Sequence, residues 1–239
     1  MLSLVIGIAC LAIVAYWMVA FAPPVGAQGP YRIVINVVER RLYLYHGNTL
    51  VHTYPVAVGR PATPTPRGEF VITQKAVWGD GFGTRWMRFS APWGIYGIHG
   101  TNKPWSVGTV ASHGCVRMYN RDVEQLYALV SVGTPVDIVG PTPYARIRRV
   151  LRPGAIGQDV IELQRQLRLA GTYGGRLDGV YTPAVAEAVR RFQEKLGRPA
   201  TGEADLQTVE ALAAATGQAG QPARYLVPAA GAGQTQAGS

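Results

Sequence analysis

The chain has 239 residues, of which 48% are hydrophobic and 15% are charged, and its formal net charge at pH 7 is +9. This length allows one to two domains, and the composition predicts globular cores and excludes a chain that is disordered throughout. The excess of positive charge favours a polyanionic neighbour: nucleic acid, an anionic membrane or an anionic cell-wall polymer. The sequence contains no nucleic-acid-binding motif and no long run of Lys or Arg, which argues against nucleic acid.

The N-terminus carries an apolar leader. Residues 1–27 contain no Lys, Arg, Asp or Glu, and residues 4–22 are almost wholly apolar, long enough to cross the ~30 Å hydrocarbon layer of a membrane as a helix. This length favours a retained anchor, whereas Val25 and Ala27 fit the small-residue positions before a signal-peptidase cut. Both interpretations, a signal peptide or an N-terminal membrane anchor, place the rest of the chain outside the cytoplasm, either secreted or associated with the membrane or the cell wall.

Residues 31–140 have the pattern of a mainly β domain, β-sandwich-like, with one helix packed on it. Apolar residues alternate along residues 31–58, and the turn sequence HGN at 46–48 indicates a hairpin. A proline-rich loop at 59–68 precedes further strands. A helix is expected after Asn120, a residue type that is common at the N-cap. Its apolar face, defined by helical spacing, comprises Val123, Leu126, Tyr127 and Val130.

Residues 150–216 change to a helical pattern and follow a short linker at 141–149. Three short helices are predicted, the second with Thr182 as its N-cap and the third covering 206–213. Together they form a small all-α domain with a modest core. The remaining residues, 217–239, are rich in Gly, Ala and Gln and are predicted to be a disordered tail.

Cys115 is the residue whose chemistry most needs an explanation. The only other cysteine, Cys10, lies in the leader, so Cys115 has no disulfide partner in the exported part of the chain. Three interpretations are open: a small core residue, a zinc ligand together with His99 and His113, or a nucleophile. A free thiol is only slightly ionised at neutral pH, so a nucleophile requires a nearby base. His99 ends a β-type segment before the loop that leads to Cys115, and adjacent strands would bring the two together.

The sequence HGC at 113–115 also suits the stabilisation of an oxyanion. Acyl transfer through sulfur builds negative charge on the former carbonyl oxygen, and each main-chain N–H aimed at that oxygen lowers the barrier by roughly 2.7–4 kcal/mol. The amides of Gly114 and Cys115 are the expected donors. A glycine before the nucleophile is also expected to leave room for the substrate to approach the main chain.

The segment GIYGIHGTNKPWSVGTVASHGCVRMYN closely resembles the active-site segment of bacterial L,D-transpeptidases, with its His-Gly-Thr and Ser-His-Gly-Cys-aliphatic-Arg patterns. RLYLYHGNTLVHTYPVAVG and TPTPRGEF are similar to the opening strands and the Pro-Gly loop of the same family, so the resemblance covers residues 31–140. Residues 153–212 resemble the three-helix peptidoglycan-binding domain, although YTPA stands where a Gly and a second Thr are common.

The resemblance implies a role for each motif residue. Cys115 would be the nucleophile, and His99 its base and later its proton donor. The residues expected to line the oxyanion site or to hold the imidazole through the backbone are His113, Gly114, Ser112 and Gly100. The candidates for substrate binding are Arg117, Tyr96 and Trp105. For Arg117 the alternative is a structural ion pair, and for the two aromatic residues it is packing in a β core.

The implied function is an L,D-transpeptidase that forms 3→3 peptidoglycan cross-links through a cysteine thioester, without a metal or organic cofactor, and that is acylated by carbapenems. Its partners would be peptidoglycan stem peptides and glycan, with anionic wall polymers as further partners. The same residues would serve an L,D-carboxypeptidase or endopeptidase. A non-catalytic wall-binding protein and a zinc peptidase of the wall are the alternatives from other classes.

Overall fold

The computed structural model describes residues 30–141 and 147–217. The leader, most of the linker and the C-terminal tail, for which the sequence predicts an anchor or signal peptide and a disordered segment, lie outside the described residues. No helix within the two described ranges is both long and apolar enough to cross a membrane.

The first range forms ten strands: β1 (Tyr31–Asn36), β2 (Arg41–His46), β3 (Thr49–Pro55), β4 (Val58–Gly59), β5 (Gly68–Val77), β6 (Arg85–Phe89), β7 (Tyr96–His99), β8 (Val110–Ser112), β9 (Val116–Arg117) and β10 (Pro135–Val139). Eight of them belong to one mixed sheet in the order β3-β2-β1-β10-β5-β6-β7-β9, while β4 pairs with β8. Two pairs in the large sheet are parallel, β1 with β10 and β7 with β9.

The ten-residue strand β5 joins the two halves of the sheet. It pairs with β10 on one side and with β6 on the other, and its register shifts between Ile72 and Gln74. Such an irregularity bends a strand, which lets both halves contribute side chains to one core. That core contains, among others, Ile33, Leu44, Phe70, Met87, Ile98 and Val116. The predicted mainly β fold class is therefore confirmed.

One helix, α1 (Asn120–Leu129), packs its buried Val123 and Leu126 into the same core. The N-cap is Tyr119 rather than the expected Asn120, which is the first helical residue and makes no capping hydrogen bond. The side chain of Asn120 is instead committed to the loops around the candidate site.

The second range forms the predicted small helical domain, with α2 (Gln158–Leu169), α3 (Pro183–Lys195) and α4 (Leu206–Ala215). Asp205 caps α4 by accepting a hydrogen bond from the amide of Thr208 at 2.7 Å. The helices share their own apolar cluster, which includes Leu163, Val189, Phe192 and Leu212. Ile147, which precedes α2 in the stretch interpreted as linker, also packs in this cluster.

Candidate active site

The parallel pair β7 and β9 brings the two main candidate residues to one face of the sheet. In the observed register Ile98 lies opposite Val116 and His99 lies opposite Arg117. Because side chains alternate along a strand, continuing this register places Cys115 beside Gly97 and on the same face as His99, two residues along. The sequence prediction of adjacent strands joined by a loop describes this arrangement.

The thiol of Cys115 is partly covered and faces main-chain groups. Its Sγ lies 4.0 Å from the carbonyl oxygen of Ile95, and the amide of Gly97 is also within hydrogen-bonding reach. Burial raises the pKa of the thiol, while the Gly97 amide and the positive charge of Arg117 act in the opposite direction. The resting thiol is therefore protonated at neutral pH, with two groups in place that favour a thiolate once it forms.

The imidazole of His99 is buried and oriented by its own loop. Its Nδ1–H donates to the carbonyl of Gly100 at 2.5 Å, so the basic nitrogen of the neutral ring is Nε2. Burial lowers the pKa of His99 to about 4, even though hydrogen bonds with the main chains of Gly100 and Phe82 favour the protonated ring. The ring is thus a neutral proton acceptor over most of the acidic range.

The two side chains share a face but are not bonded to each other. Within the described residues, neither ring nitrogen of His99 makes a hydrogen bond to Sγ of Cys115; the hydrogen bonds of both groups go to the main chain. Catalytic hydrogen bonds are often long in unliganded enzymes and tighten only with substrate. The arrangement therefore places a base and a thiol on one surface. We expect the two groups to come within hydrogen-bonding distance only when substrate is bound.

The turn that carries Cys115 is held by Ser112. Its hydroxyl donates to the carbonyl of Cys115 at 2.5 Å and accepts from the amide of Gly114 at 3.1 Å. The expected oxyanion donor Gly114 is therefore engaged, whereas the amide of Cys115 has no acceptor among the described residues. Ser112 acts as a clamp on the turn, and the free amide of Cys115 is the donor that this conformation offers.

Gly114 is required for a reason other than substrate access. Its φ is +114°, and a Cβ added there would lie 2.6 Å from a ring carbon of Tyr96. The space that the sequence analysis left for the substrate is filled by the Tyr96 ring, which also stacks on Phe89 with 6.1 Å between the centroids. Tyr96 thus packs directly against the turn that carries Cys115.

The remaining candidates differ in their surroundings. Arg117 is half-buried, and no acidic side chain in the described part of the chain forms an ion pair with it. Its charge lowers the pKa values of both His99 and Cys115. Trp105 lies on a short 3-10 helix and is 74% exposed, so it is not the core aromatic that the alternative interpretation assumed. The side chain of His113 is also exposed, two residues before Cys115.

The zinc alternative lacks a ligand set in the described ranges. No group of three or more His, Cys, Asp or Glu side chains there is close enough together to hold a metal ion. The exposed ring of His113 and the buried ring of His99 are not brought together with the thiol as three ligands of one site.

Three aromatic residues around His99 were missed by the sequence analysis. The ring centroids of Phe82 and Trp86 lie 5.1 and 5.5 Å from that of His99, and Trp78 stacks on Trp86 at 5.0 Å. They supply the apolar surroundings that keep the imidazole neutral. In the sequence they belong to the Gly- and Trp-rich segment WGDGFGTRW. This segment lies beside His99 because its end is part of β6, which pairs with β7, and that pairing has no local signal in the sequence.

Asn120 is the other missed residue, because an Asn before a helix suggests an N-cap. Its Oδ1 accepts hydrogen bonds from the amides of Thr101 and Thr84, at 3.1 and 3.4 Å. A Cβ at Gly83 or Gly100 would lie 2.2 Å from the same oxygen. One side chain therefore joins the segment that follows His99 to the loop that carries Phe82.

Comparisons with known proteins identify the family of the chain. The sequence matches the family described as L,D-transpeptidase catalytic domain over residues 30–138 and a putative peptidoglycan binding domain over residues 156–212. The putative L,D-transpeptidase YqjB of Bacillus subtilis is 37% identical over 123 residues, which cover 45% of this chain and 69% of that protein. The chain belongs to the L,D-transpeptidase family. The resemblance stated from the sequence motifs is thus confirmed, together with the peptidoglycan-binding domain that follows.

Other matches cover less of the relatives. The putative L,D-transpeptidase YkuD of Bacillus licheniformis is 50% identical over 110 residues, and the match spans 46% of this chain and 66% of the relative. A solved L,D-transpeptidase from Mycobacterium smegmatis is 22% identical, with a TM-score of 0.41 over 46% of this chain and 58% of that one.

The aromatic surroundings of His99 predict its titration. We expect NMR to give an imidazole pKa near 4, and Phe82→Ala to move it towards 6.5 because water then reaches the ring. Since the unfolded ring binds its proton near pH 6.5 and the folded ring only near 4, this residue lowers stability as the pH falls between these values. Phe82→Tyr keeps the ring and is the matched control, and His99→Gln assigns the resonance. An unchanged pKa in Phe82→Ala would refute the role of burial.

The contacts of Asn120 predict a difference between two substitutions. Asn120→Asp keeps an acceptor for the amides of Thr101 and Thr84, whereas Asn120→Leu has similar volume and none. We expect Asn120→Leu to be less stable than Asn120→Asp by about 1–3 kcal/mol, because partly buried donors lose their partner. Urea unfolding with equal m-values would measure this difference. Equal stability of the two variants would show that the hydrogen bonds do not hold the loops.

Proposed function

We propose that the chain is a cysteine acyltransferase, an L,D-transpeptidase that forms 3→3 cross-links in peptidoglycan. The observation that carries the proposal is the placement of Cys115 and His99 on one face of β7 and β9, in a chain of the L,D-transpeptidase family. The helical domain that follows supports the same polymer as substrate. Action on the wall requires the protein to work outside the cytoplasm.

In the first half-reaction the thiol of Cys115 attacks the carbonyl carbon of the third residue of a tetrapeptide stem. Nε2 of His99 takes the thiol proton as the S–C bond forms, and the carbonyl oxygen becomes an oxyanion. The C–N bond to D-Ala then breaks, the proton passes from His99 to the leaving amine, and a thioester remains. The main-chain amide of Cys115, the attacking residue, donates a hydrogen bond to the oxyanion. One such donor lowers the activation barrier by roughly 2.7–4 kcal/mol.

In the second half-reaction the side-chain amine of a diamino acid on another stem attacks the thioester. His99 accepts a proton from this amine and returns it to sulfur as the S–C bond breaks, which regenerates the thiol. One peptide bond is lost and one is formed, so no external oxidant or energy source is needed. The chemistry uses only the groups of this chain, and we propose no metal or organic cofactor.

The electrostatics of the site suit a neutral resting pair. Burial raises the pKa of the Cys115 thiol and lowers that of His99, so thiol and imidazole are both uncharged before attack. Charge then develops only during the reaction, beside the half-buried guanidinium of Arg117. We propose that Arg117 stabilises the developing thiolate and meets a carboxylate of the stem, with Tyr96 and Trp105 bordering the groove.

The same proposal assigns a separate role to each of the two domains. A catalytic unit of about residues 31–140 carries the chemistry, and a helical unit of about 150–216 binds glycan and so keeps the enzyme at a high local concentration of substrate. The net charge of +9 favours residence among anionic wall polymers.

The nucleophile can be tested by intact-protein mass spectrometry. Incubation with a soluble tetrapeptide stem should give an adduct equal to the stem without D-Ala, and a carbapenem should give an adduct by opening of its lactam. Cys115→Ala should abolish both adducts and lower turnover on the order of 10⁴-fold or more. Because Cys10 is the only other thiol, Cys10→Ala is the matched control and should react like the parent protein. A reactive Cys115→Ala variant would end the proposal.

The acceptor can be tested by product analysis. With a second stem that carries a free side-chain amine, we expect a cross-linked dimer and released D-Ala; without it, slow release of D-Ala to water. If release is equally fast with and without the acceptor and no dimer forms, the chain is an L,D-carboxypeptidase that uses the same residues. His99→Ala should lower both rates by about 10²–10⁴-fold, because the proton acceptor is lost.

A further inference from the structure

The helical domain is joined to the β domain through a carboxylate at the start of β5. Glu69 accepts two hydrogen bonds from the guanidinium of Arg168 on α2, at 2.6 and 3.0 Å, and a third from the amide of Leu177 at 3.1 Å. The amide of Glu69 donates to the carbonyl of Leu177 at 2.9 Å. Burial alone would raise the pKa of Glu69, but the hydrogen bonds hold it below its usual range. Hydrogen bonds therefore fix the orientation of the helical domain relative to β5 at this contact.

Apolar contacts close the same interface. Ile161 on α2 and Leu177 are buried in the apolar core of the β domain, whereas the other helices of the second domain pack on their own cluster. Gly68 precedes Glu69 with φ +154°, and a Cβ there would lie 2.6 Å from Cδ1 of Ile161 and 2.7 Å from the carbonyl oxygen of Leu177. The main chains of the two domains are thus in direct contact at the start of β5.

From this interface a first connection runs to the nucleophile turn. The side-chain amide of Gln158, the first residue of α2, forms a two-way pair with the main chain of Arg67, at 2.9 and 3.1 Å. Arg67 ends the proline-rich loop, and near the beginning of that loop the amide of Arg60 donates to the carbonyl of Ser112 at 3.0 Å. Ser112 is the clamp of the turn that carries Cys115. One loop is therefore fixed by the helical domain at one end and holds the nucleophile turn at the other.

A second connection runs through the segment before β7. A Cβ at Gly179 of the helical domain would lie 2.4 Å from Cζ3 of Trp93, so the ring occupies all the space there. Trp93 is hydrogen-bonded through its side chain to Tyr96, whose ring packs against the nucleophile turn. Between these two residues, the carbonyl of Ile95 faces Sγ of Cys115. The helical domain thus contacts both segments that border the thiol.

We propose that the helical domain is a positioning element of the active site and not only a module that holds the wall. By docking on Glu69 it fixes the proline-rich loop and the segment from Trp93 to Tyr96, and these two segments fix the turn of Cys115. The inference rests on the proposed function, because it takes acylation of Cys115 as the reaction. It predicts that undocking the domain slows acylation even by a small soluble reagent that needs no wall-binding module.

The test uses the full chain and a carbapenem such as imipenem, with the rate of acylation followed by intact-protein mass spectrometry. Ile161→Asp places a charge in the interface and should undock the domain. We expect acylation to slow by roughly 10–100-fold, since displacements of about 1 Å at a reacting group have effects of this size. Leu206→Asp is the matched control, because it also replaces an aliphatic residue of the same domain with Asp, at a position that is 48% exposed, and it should react at the parental rate.

A charge reversal gives an independent variant in case Ile161→Asp fails to fold. Glu69→Lys should repel Arg168 and slow acylation, and adding Arg168→Glu should restore most of the rate. Restoration by the second substitution would show that the slow rate comes from loss of the contact between these two residues and not from the Lys side chain itself. Hydrogen exchange should show faster exchange in residues 60–67 and 93–96 in the slow variants and not in the restored one.

The outcomes separate the two proposals. If the parent protein forms no adduct, the proposed function fails and the inference falls with it. If the parent is acylated and the folded Ile161→Asp or Glu69→Lys variant reacts within twofold of it, the helical domain is a tether and only the inference is overturned. Slow variants with a restored double variant support positioning.

Discussion

The parallel pairing of β7 with β9 is the constraint on which the candidate site depends. It places His99 and Cys115 on one face without any direct bond between them. The amide of Met118 donates to the carbonyl of His99 at 2.8 Å, which fixes the chain after β9 to β7. On its other side β9 is held by the amide of Arg117, which donates to the carbonyl of Ala57 at 3.0 Å. Both side chains are therefore held by the backbone, through hydrogen bonds to the main chain and not to each other. Placement on rigid elements is the requirement for a preorganised site.

Burial of both groups decides their resting state. An ion pair of thiolate and imidazolium would have to recover the cost of removing two charges from water. Here burial raises one pKa and lowers the other, so the neutral pair is favoured and Arg117 is the fixed charge of the site. A positive charge beside a neutral thiol favours the state in which sulfur becomes negative. Burial weakens His99 as a base. The same burial strengthens the interaction of the developing negative charge with Arg117 and with the free amide of Cys115.

Whether a feature of the fold or the site could be predicted depends on how far apart in the sequence the interacting residues lie. The fold class and the identity of Cys115 and His99 as candidates follow from local patterns: alternation in strands, helical spacing and the His-Gly-Cys motif. Features that depend on distant segments were missed or misassigned. Asn120 has the sequence context of an N-cap, but its Oδ1 bonds the amide of Thr101, which follows a different strand. Gly114 was expected to admit the substrate, yet its neighbour is Tyr96, brought there by the sheet. Such contacts have no local signal.

The loop that contacts the helical domain ends at a buried arginine. Burial lowers the pKa of Arg67 to about 10, and its Nε has no acceptor among the described residues. Removing a guanidinium from water without a counterion costs free energy, which other contacts of the fold must offset. The main chain of the same residue is bound by Gln158 of the helical domain. A flexible linker alone would raise the local substrate concentration without any contact to Arg67. A docked domain, in contrast, fixes the loop that ends at Arg67, and through it the turn of the nucleophile.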